Sequence, residues 1–194
     1  NNDYHWSNLY YLISIFKENV KRDGSGELLS WLEKTDFFTA PASTKFHLCE
    51  EGGLCEHSIN VYECLNDRYG NEHRAESIAI VALLHDLCKA QFYKMSMRNQ
   101  KNELTGQWEK VPYYQIEDKF PFGHGEKSVF LIERFMRLKV EEAIAIRWHM
   151  GGFDDTAKAG GFTISNAFEM YPLAVKLHIA DIEATYLMEN TPEK

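Results

Sequence analysis

The sequence predicts an all-α protein, a helical bundle carrying one small β-hairpin-like insertion. Three observations lead there. Apolar residues recur at helical spacing over most of the chain. Residues 76–89 are apolar on nearly every side, as in a central buried helix. Between residues 91 and 123 the helical period gives way to polar and aromatic residues, with turn signals at Asn102 and Thr105-Gly106.

The elements follow in order. Leu9, Leu12, Ile13 and Phe16 predict a first helix over about 8–19. The run "KRDGSGE" breaks it, and Leu28, Leu29 and Trp31 mark a short helix over about 27–34. An irregular stretch with Pro41 follows, then the turn "EGGL" into a helix over about 56–69. The buried helix spans 76–89. After the insertion, helices are predicted over about 126–138 and 140–149, a loop over 151–161, and a last helix over about 171–188. The whole chain, 1–194, reads as one domain. Residues 1–50 supply N-terminal helices and a loop, 51–90 and 124–190 a helical core, and 91–123 the insertion.

Composition narrows the function. The chain has 194 residues, 44% of them hydrophobic, enough for a packed core rather than disorder. Its formal net charge is −8, which argues against gripping duplex nucleic acid over a whole face. A small phosphorylated ligand remains compatible, because a bound cation reverses the local potential. Four cysteines occur without a CxxC pair, no leader is evident and no apolar run is long enough to span a membrane. These features predict a reduced, cytoplasmic protein.

The histidines and aspartates are unusually placed. His57 shares a helix face with Val61, Cys64 and Leu65. His85 and Asp86 end the most apolar segment. His149 closes an apolar helix, and Asp181 lies on a face with Ala174, Leu177, Ala184 and Met188. Ionisable groups in apolar settings are costly unless compensated. One such histidine is most simply a satisfied core residue. Several converging with two aspartates, and with His124, point instead to metal ligation. Imidazole and carboxylate suit Mn, Fe, Co, Ni, Zn or Mg.

The ordered set His57, His85-Asp86 and Asp181, with "HDLCK" matching an HD-x-x-K form, resembles the HD superfamily of metal-dependent phosphohydrolases. The likeness covers about residues 52–187. His124 and His149, between the HD pair and the last Asp, make the layout similar to the family's two-metal branch of nucleotide phosphodiesterases. The stretches "FFTAPASTKFH", "EGGLCEHS", "PFGHGEKS" and "IRWHMGG" also resemble uncharacterised bacterial and phage-type HD hydrolases. The resemblance implies an HD-domain bundle with two divalent ions. One would be held by His57, His85, Asp86 and Asp181, the other by Asp86, His124 and His149. It implies hydrolysis of a phosphoester of a nucleotide or nucleotide-like small molecule by a metal-activated water, with Asp86 and Lys89 in catalytic roles. The "GYP" element of the HD-GYP enzymes is missing after His149, where Met150-Gly151-Gly152 stand, so cyclic di-GMP is disfavoured.

Other groups are candidates for the substrate side. Lys45 and His47 lie in the loop before the first ligand helix, and Arg147 stands two residues before His149. Trp108, in the insertion with Tyr113 and Tyr114, offers a face for a nucleobase. Two alternatives stand beside this: a catalytically inactive nucleotide-binding sensor, as in HD-like domains that have lost ligands, which the complete ligand set argues against, and a di-iron HD-type oxygenase, which uses a similar ligand set.

Overall fold

A computed structural model of the chain describes residues 2–189. The predicted ends of the domain at residue 1 and residues 190–194 lie outside the described residues. Nine α-helices and one two-stranded sheet are described: α1 (Asn2–Asn19), α2 (Ser25–Lys34), α3 (Gly53–Tyr69), α4 (Ala75–Leu84), β1 (Tyr93–Lys101), β2 (Trp108–Ile116), α5 (His124–Glu133), α6 (Val140–Arg147), α7 (Asp155–Lys158), α8 (Thr163–Met170) and α9 (Pro172–Glu183).

The hydrophobic pattern determines what sits at the centre. Every residue of α4 from Ile78 to Leu84 is fully buried. Such a helix is apolar all round because it has neighbours all round. Helices α1, α3 and α6 pack on α4, and α9 packs on α3 and α6. Each fully buried Leu or Ile contributes about 1.5–3 kcal/mol of transfer free energy, so α4 is the thermodynamic centre of the bundle. Among the described residues no helix is long and apolar enough to cross a membrane. All four cysteines are free thiols.

The all-α expectation requires correction. Residues 93–101 and 108–116 form a regular antiparallel ladder over nine positions, from Tyr93 opposite Ile116 to Lys101 opposite Trp108. The chain is therefore mostly helical with a two-stranded sheet. Both strands are sheet edges, which is why Pro112 is tolerated within β2. The turn is closed by Asn102, whose side-chain oxygen accepts from the Leu104 and Thr105 amides at 2.9 and 3.1 Å.

Three further differences concern helix ends. The buried helix stops at Leu84 rather than 89. Asp86 takes φ −100° and ψ 21°, in the sparsely populated bridge region, and Leu87–Lys89 continue as a 3₁₀ turn. Residues 151–170, expected to begin as a loop, contain the short α7 and the amphipathic α8. The last helix widens into a π turn over Ala184–Met188.

One polar network pins these elements. Arg22, in the break after α1, donates to Glu142 at 2.5 and 3.0 Å and to Glu76 at 2.9 Å. Ser77 Oγ–H and the Lys139 N–H add bonds of 2.7 Å each to the solvent-inaccessible Glu142 carboxylate. Every lone pair on that carboxylate is thus engaged, the condition under which a buried charge is tolerated.

Candidate metal centre

The ligands are delivered by five elements. His57 comes from the first turns of α3, and His85 and Asp86 from the turn that ends α4. His124 starts α5, His149 follows α6, and Asp181 lies in α9. The contact between α5 and α6 brings His124 near His149. Gly125 permits it, since a Cβ there would stand 2.1 Å from the Arg147 carbonyl oxygen.

The six side chains meet around Asp86. Its Oδ1 lies 2.8 Å from His124 Nε2 and 3.2 Å from His149 Nε2. Its Oδ2 lies 3.5 Å from both His57 Nε2 and His85 Nε2. Asp181 Oδ1 sits 3.1 Å from His57 Nε2 and 4.0 Å from His85 Nε2. His57, His85 and His149 are buried, and His124 is 29% exposed on the cleft side.

The other ring nitrogens decide which atoms face inward. His85 Nδ1 lies 2.7 Å from the Ala82 carbonyl, and His149 Nδ1 lies 2.7 Å from that of Ile146. A carbonyl only accepts, so both Nδ1 atoms carry the proton and both neutral rings turn Nε2 lone pairs inward. His57 Nδ1 likewise donates to the Glu189 carboxylate at 2.9 Å. In the ligating tautomer the Nε2 lone pairs of His57 and His85 would face one another at 3.2 Å. Two ligands about 2.1 Å from one ion stand roughly 3.0–3.4 Å apart, so the spacing fits a shared cation. Outward donation that fixes the tautomer is the usual second partner of a metal-bound histidine. These buried groups can hold a metal ion.

The electrostatics agree. Burial opposes charging of His57, yet hydrogen bonds to Asp181 and Glu189 outweigh it and raise its pKa to about 10. Burial likewise opposes charging of His124, while Cys88 and Asp86 raise its pKa to about 10. Burial pushes the Asp86 carboxyl up, but Lys89, His85, His124 and His149 hold it well below the usual carboxylate range. His149 shifts the other way, because burial, His85 and His124 together outweigh Asp86 and disfavour its charged form.

Lys89 reaches this centre by an unexpected route. A helix continued to residue 89 would carry it one turn beyond His85, but α4 ends at Leu84. The 3₁₀ turn brings Nζ to 2.8 Å from Asp86 Oδ2. Cys88, between them, places Sγ 3.3 Å from His124 Nδ1. His178 donates from Nδ1 to the His149 carbonyl at 2.7 Å, supporting that segment's backbone.

A cleft of about 630 Å³ opens over the centre. His57, Asp86, Lys89, His124 and Asp181 form its floor, and Phe46, Phe92, Tyr93, Phe153, Lys158 and Tyr186 stand in its walls. Of the four substrate-side candidates, only His47 lines it. Lys45 is exposed elsewhere on the loop. Arg147 is held by Glu126 at 3.1 Å and Asp154 at 2.8 Å, and lies 3.7 Å over the Trp148 ring. Trp108 sits opposite Lys101 beside the hairpin turn and is 71% exposed. The expected result for Trp108→Ala is a change in stability within about 0.5 kcal/mol and an unchanged affinity for any cleft ligand, checked by thermal melting and a binding titration.

Sequence reasoning missed Glu189. Its Oε1 accepts from His47 Nδ1 at 2.7 Å and from His57 Nδ1 at 2.9 Å, and its Oε2 from Asn60 Nδ2 at 3.0 Å. These donors outweigh burial and lower its pKa to about 2. It stands just beyond the last apolar position of the final helix, where periodicity gives no signal. The cleft aromatics were missed as well, because they come from separate places, Phe46 and Phe92 from loops, Tyr93 from the start of β1, Phe153 from a 3₁₀ turn and Tyr186 from the π turn.

No family model, curated protein or solved structure matches this chain.

Proposed function

We propose that the protein is a metal-dependent phosphohydrolase acting on a phosphoester of a nucleotide or nucleotide-like small molecule. In this reading His57, His85, Asp86 and Asp181 hold one divalent ion, and Asp86, His124 and His149 hold a second. One observation carries the reading. The two oxygens of Asp86 face two different histidine pairs, the disposition of a carboxylate shared between two cations. The ordered HD-type ligand set, with its likeness to the HD phosphohydrolases, adds the choice of chemistry.

Bound divalent ions supply a water of lowered pKa and polarise phosphoryl oxygens. The chain's own groups do the rest. Lys89 offers an ammonium at the cleft floor, where it can bind a phosphoryl oxygen. Phe46, Phe153 and Tyr186 offer ring faces to the non-phosphate part of a substrate. The buried histidines keep the floor dry, which strengthens every charge interaction there. Metal-ligating imidazole and carboxylate groups must be deprotonated, so metal uptake releases protons and affinity rises with pH.

The test is metal analysis of the purified protein, followed by a panel of nucleoside mono-, di- and triphosphates and phosphodiesters with Mn, Fe, Co, Ni, Zn and Mg, in air and without oxygen. Metal-dependent release of a phosphorylated or phosphate product, lost on chelation, is the expected result. Oxygen consumption without hydrolysis would replace this reading with the oxygenase, and nucleotide binding without turnover would replace it with the sensor. A ligating ion also stabilises the fold by about 2.7 kcal/mol at a hundredfold excess over its Kd, so chelation is expected to lower the Tm.

A further inference from the structure

The last described residue, Glu189, does more than fill a polar gap. In an α-helix, eight residues advance the chain to about 80° off the starting face. Glu189 is eight residues after Asp181, so a regular helix would carry it away from the ligand face. The π turn over Ala184–Met188 corrects that lag, and the Glu189 N–H closes it by donating to the Ala184 carbonyl at 3.0 Å. π turns inside helices recur at functional sites because they re-aim a side chain in this way.

The loop on the other side is equally fixed. Ser43 Oγ accepts from the amides of Lys45, Phe46 and His47 at 3.3, 2.8 and 3.2 Å. Leu48, directly after His47, holds φ 45°, which an L-residue adopts at a cost. Both features aim His47 inward. Its ring stands edge-on to that of His57 with centroids 4.9 Å apart, and it lines the cleft. His47, His57 and Glu189 are close enough to suggest a cation site of their own. The geometry argues otherwise, because each Nδ1 donates to the same ionised carboxylate and has no lone pair left there.

We propose that Glu189 is a positioning residue serving two histidines: it orients the ligand His57 toward its metal ion and, through the same carboxylate, fixes His47 on the substrate side of the cleft. This rests on the two-ion reading above. A carboxylate behind a ligating histidine raises its basicity, and loss of such a partner typically lowers metal affinity about 10–100-fold. Among the described residues, no such carboxylate stands behind the ligands His124 and His149. His124 has the Cys88 sulfur behind it and His149 has a backbone carbonyl. Glu189 therefore acts on one ion of the two.

The test is a Co(II) titration of the metal-free full-length protein, followed by visible absorption. The step missing in His57→Ala identifies the ion on the His57 side. Glu189→Gln is expected to weaken that step about 10–100-fold and to leave the other in place. Asn60→Ala, which removes only the amide holding Glu189, is expected to shift the same step in the same direction by less. It serves as the reporter if Glu189→Gln does not fold. His47→Ala is expected to leave Co(II) uptake unchanged while raising KM for any phosphoester turned over. The proposal is overturned if Glu189→Gln, or Asn60→Ala in its place, titrates like the wild type. Equal loss of both steps also overturns it, as does His47→Ala weakening the ion as much as Glu189→Gln. A wild type that takes up no ion overturns it together with the metal reading. A wild type that takes up ions without hydrolysing phosphoesters overturns the hydrolase alone, and the Co(II) steps still decide the role of Glu189.

Discussion

Asp86→Ala is expected to abolish bound metal and phosphoester hydrolysis together. Its two oxygens face two separate histidine pairs, so it is the carboxylate that the two ions would share. Removing an outer partner of a ligand costs about 10–100-fold in metal affinity, and removing a shared ligand exceeds that. The same change leaves Lys89 without the carboxylate 2.8 Å from its Nζ. Breaking a buried ion pair from one side costs roughly 3–5 kcal/mol, so a fall in stability is expected as well. Asp86→Asn separates the two effects. It keeps the shape and one acceptor oxygen, and should retain more stability while still losing the metal. Metal content by elemental analysis, with denaturant unfolding in parallel, checks both. An Asp86→Asn protein with full metal and full turnover would refute the central role of this residue.

The largest effect remote from the centre is expected at Glu142. Its carboxylate is sealed from solvent and satisfied by Arg22, Ser77 and the Lys139 amide. Glu142→Leu leaves Arg22 with the Glu76 carboxylate and the Arg137 carbonyl, and a loss of roughly 3–5 kcal/mol is expected in urea unfolding. The network also makes stability depend on pH. Burial alone would raise the Glu142 pKa, but Arg22, Lys139 and Ser77 outweigh it and bring the folded value below the usual 4.5. Glu76 shifts the same way. For a lowered carboxylate the stabilisation is complete above the unfolded pKa and is lost as the pH falls through the folded one. Stability is thus expected to hold from neutrality to about pH 5 and to decline below it. In Glu142→Leu that acid decline should be shallower. An identical acid profile in the two proteins would show that the network does not control it.

The ligand residues were legible because two signals overlapped. Each of His57, His149 and Asp181 stood on a helical face that was otherwise apolar, and His85 and Asp86 ended a segment with no polar face at all. Burial of ionisable groups is expensive, so such placement implies compensation. His124 had no apolar helical face to mark it, since it opens its helix after an irregular stretch, and its place in the set leaned most on the resemblance. Glu189 was not legible, because its position depends on one extra residue in a helical turn, which periodicity cannot register. Arg147 and Trp108 failed as cleft residues for opposite reasons. Arg147 found carboxylates on α5 and just after α6, and Trp108 was carried away by a ladder of nine pairs. A helix continued to residue 89 would put Lys89 on the His85 face, whereas the 3₁₀ turn pairs it with Asp86.

The burial of α4 has a consequence for how the molecule breathes. Amide protons exchange with solvent only when their segment opens, and segments wrapped on every side open only with the whole fold. The amides of Ile78–Leu84 should therefore be among the last to take up deuterium, whereas the hairpin, with two free edges, and the loop carrying His47 should exchange early. His85 and Asp86 hang from the end of the slowest segment. Half of the centre is thus anchored to the part of the chain that opens last, while the groups facing an incoming molecule belong to parts that can yield without disturbing it.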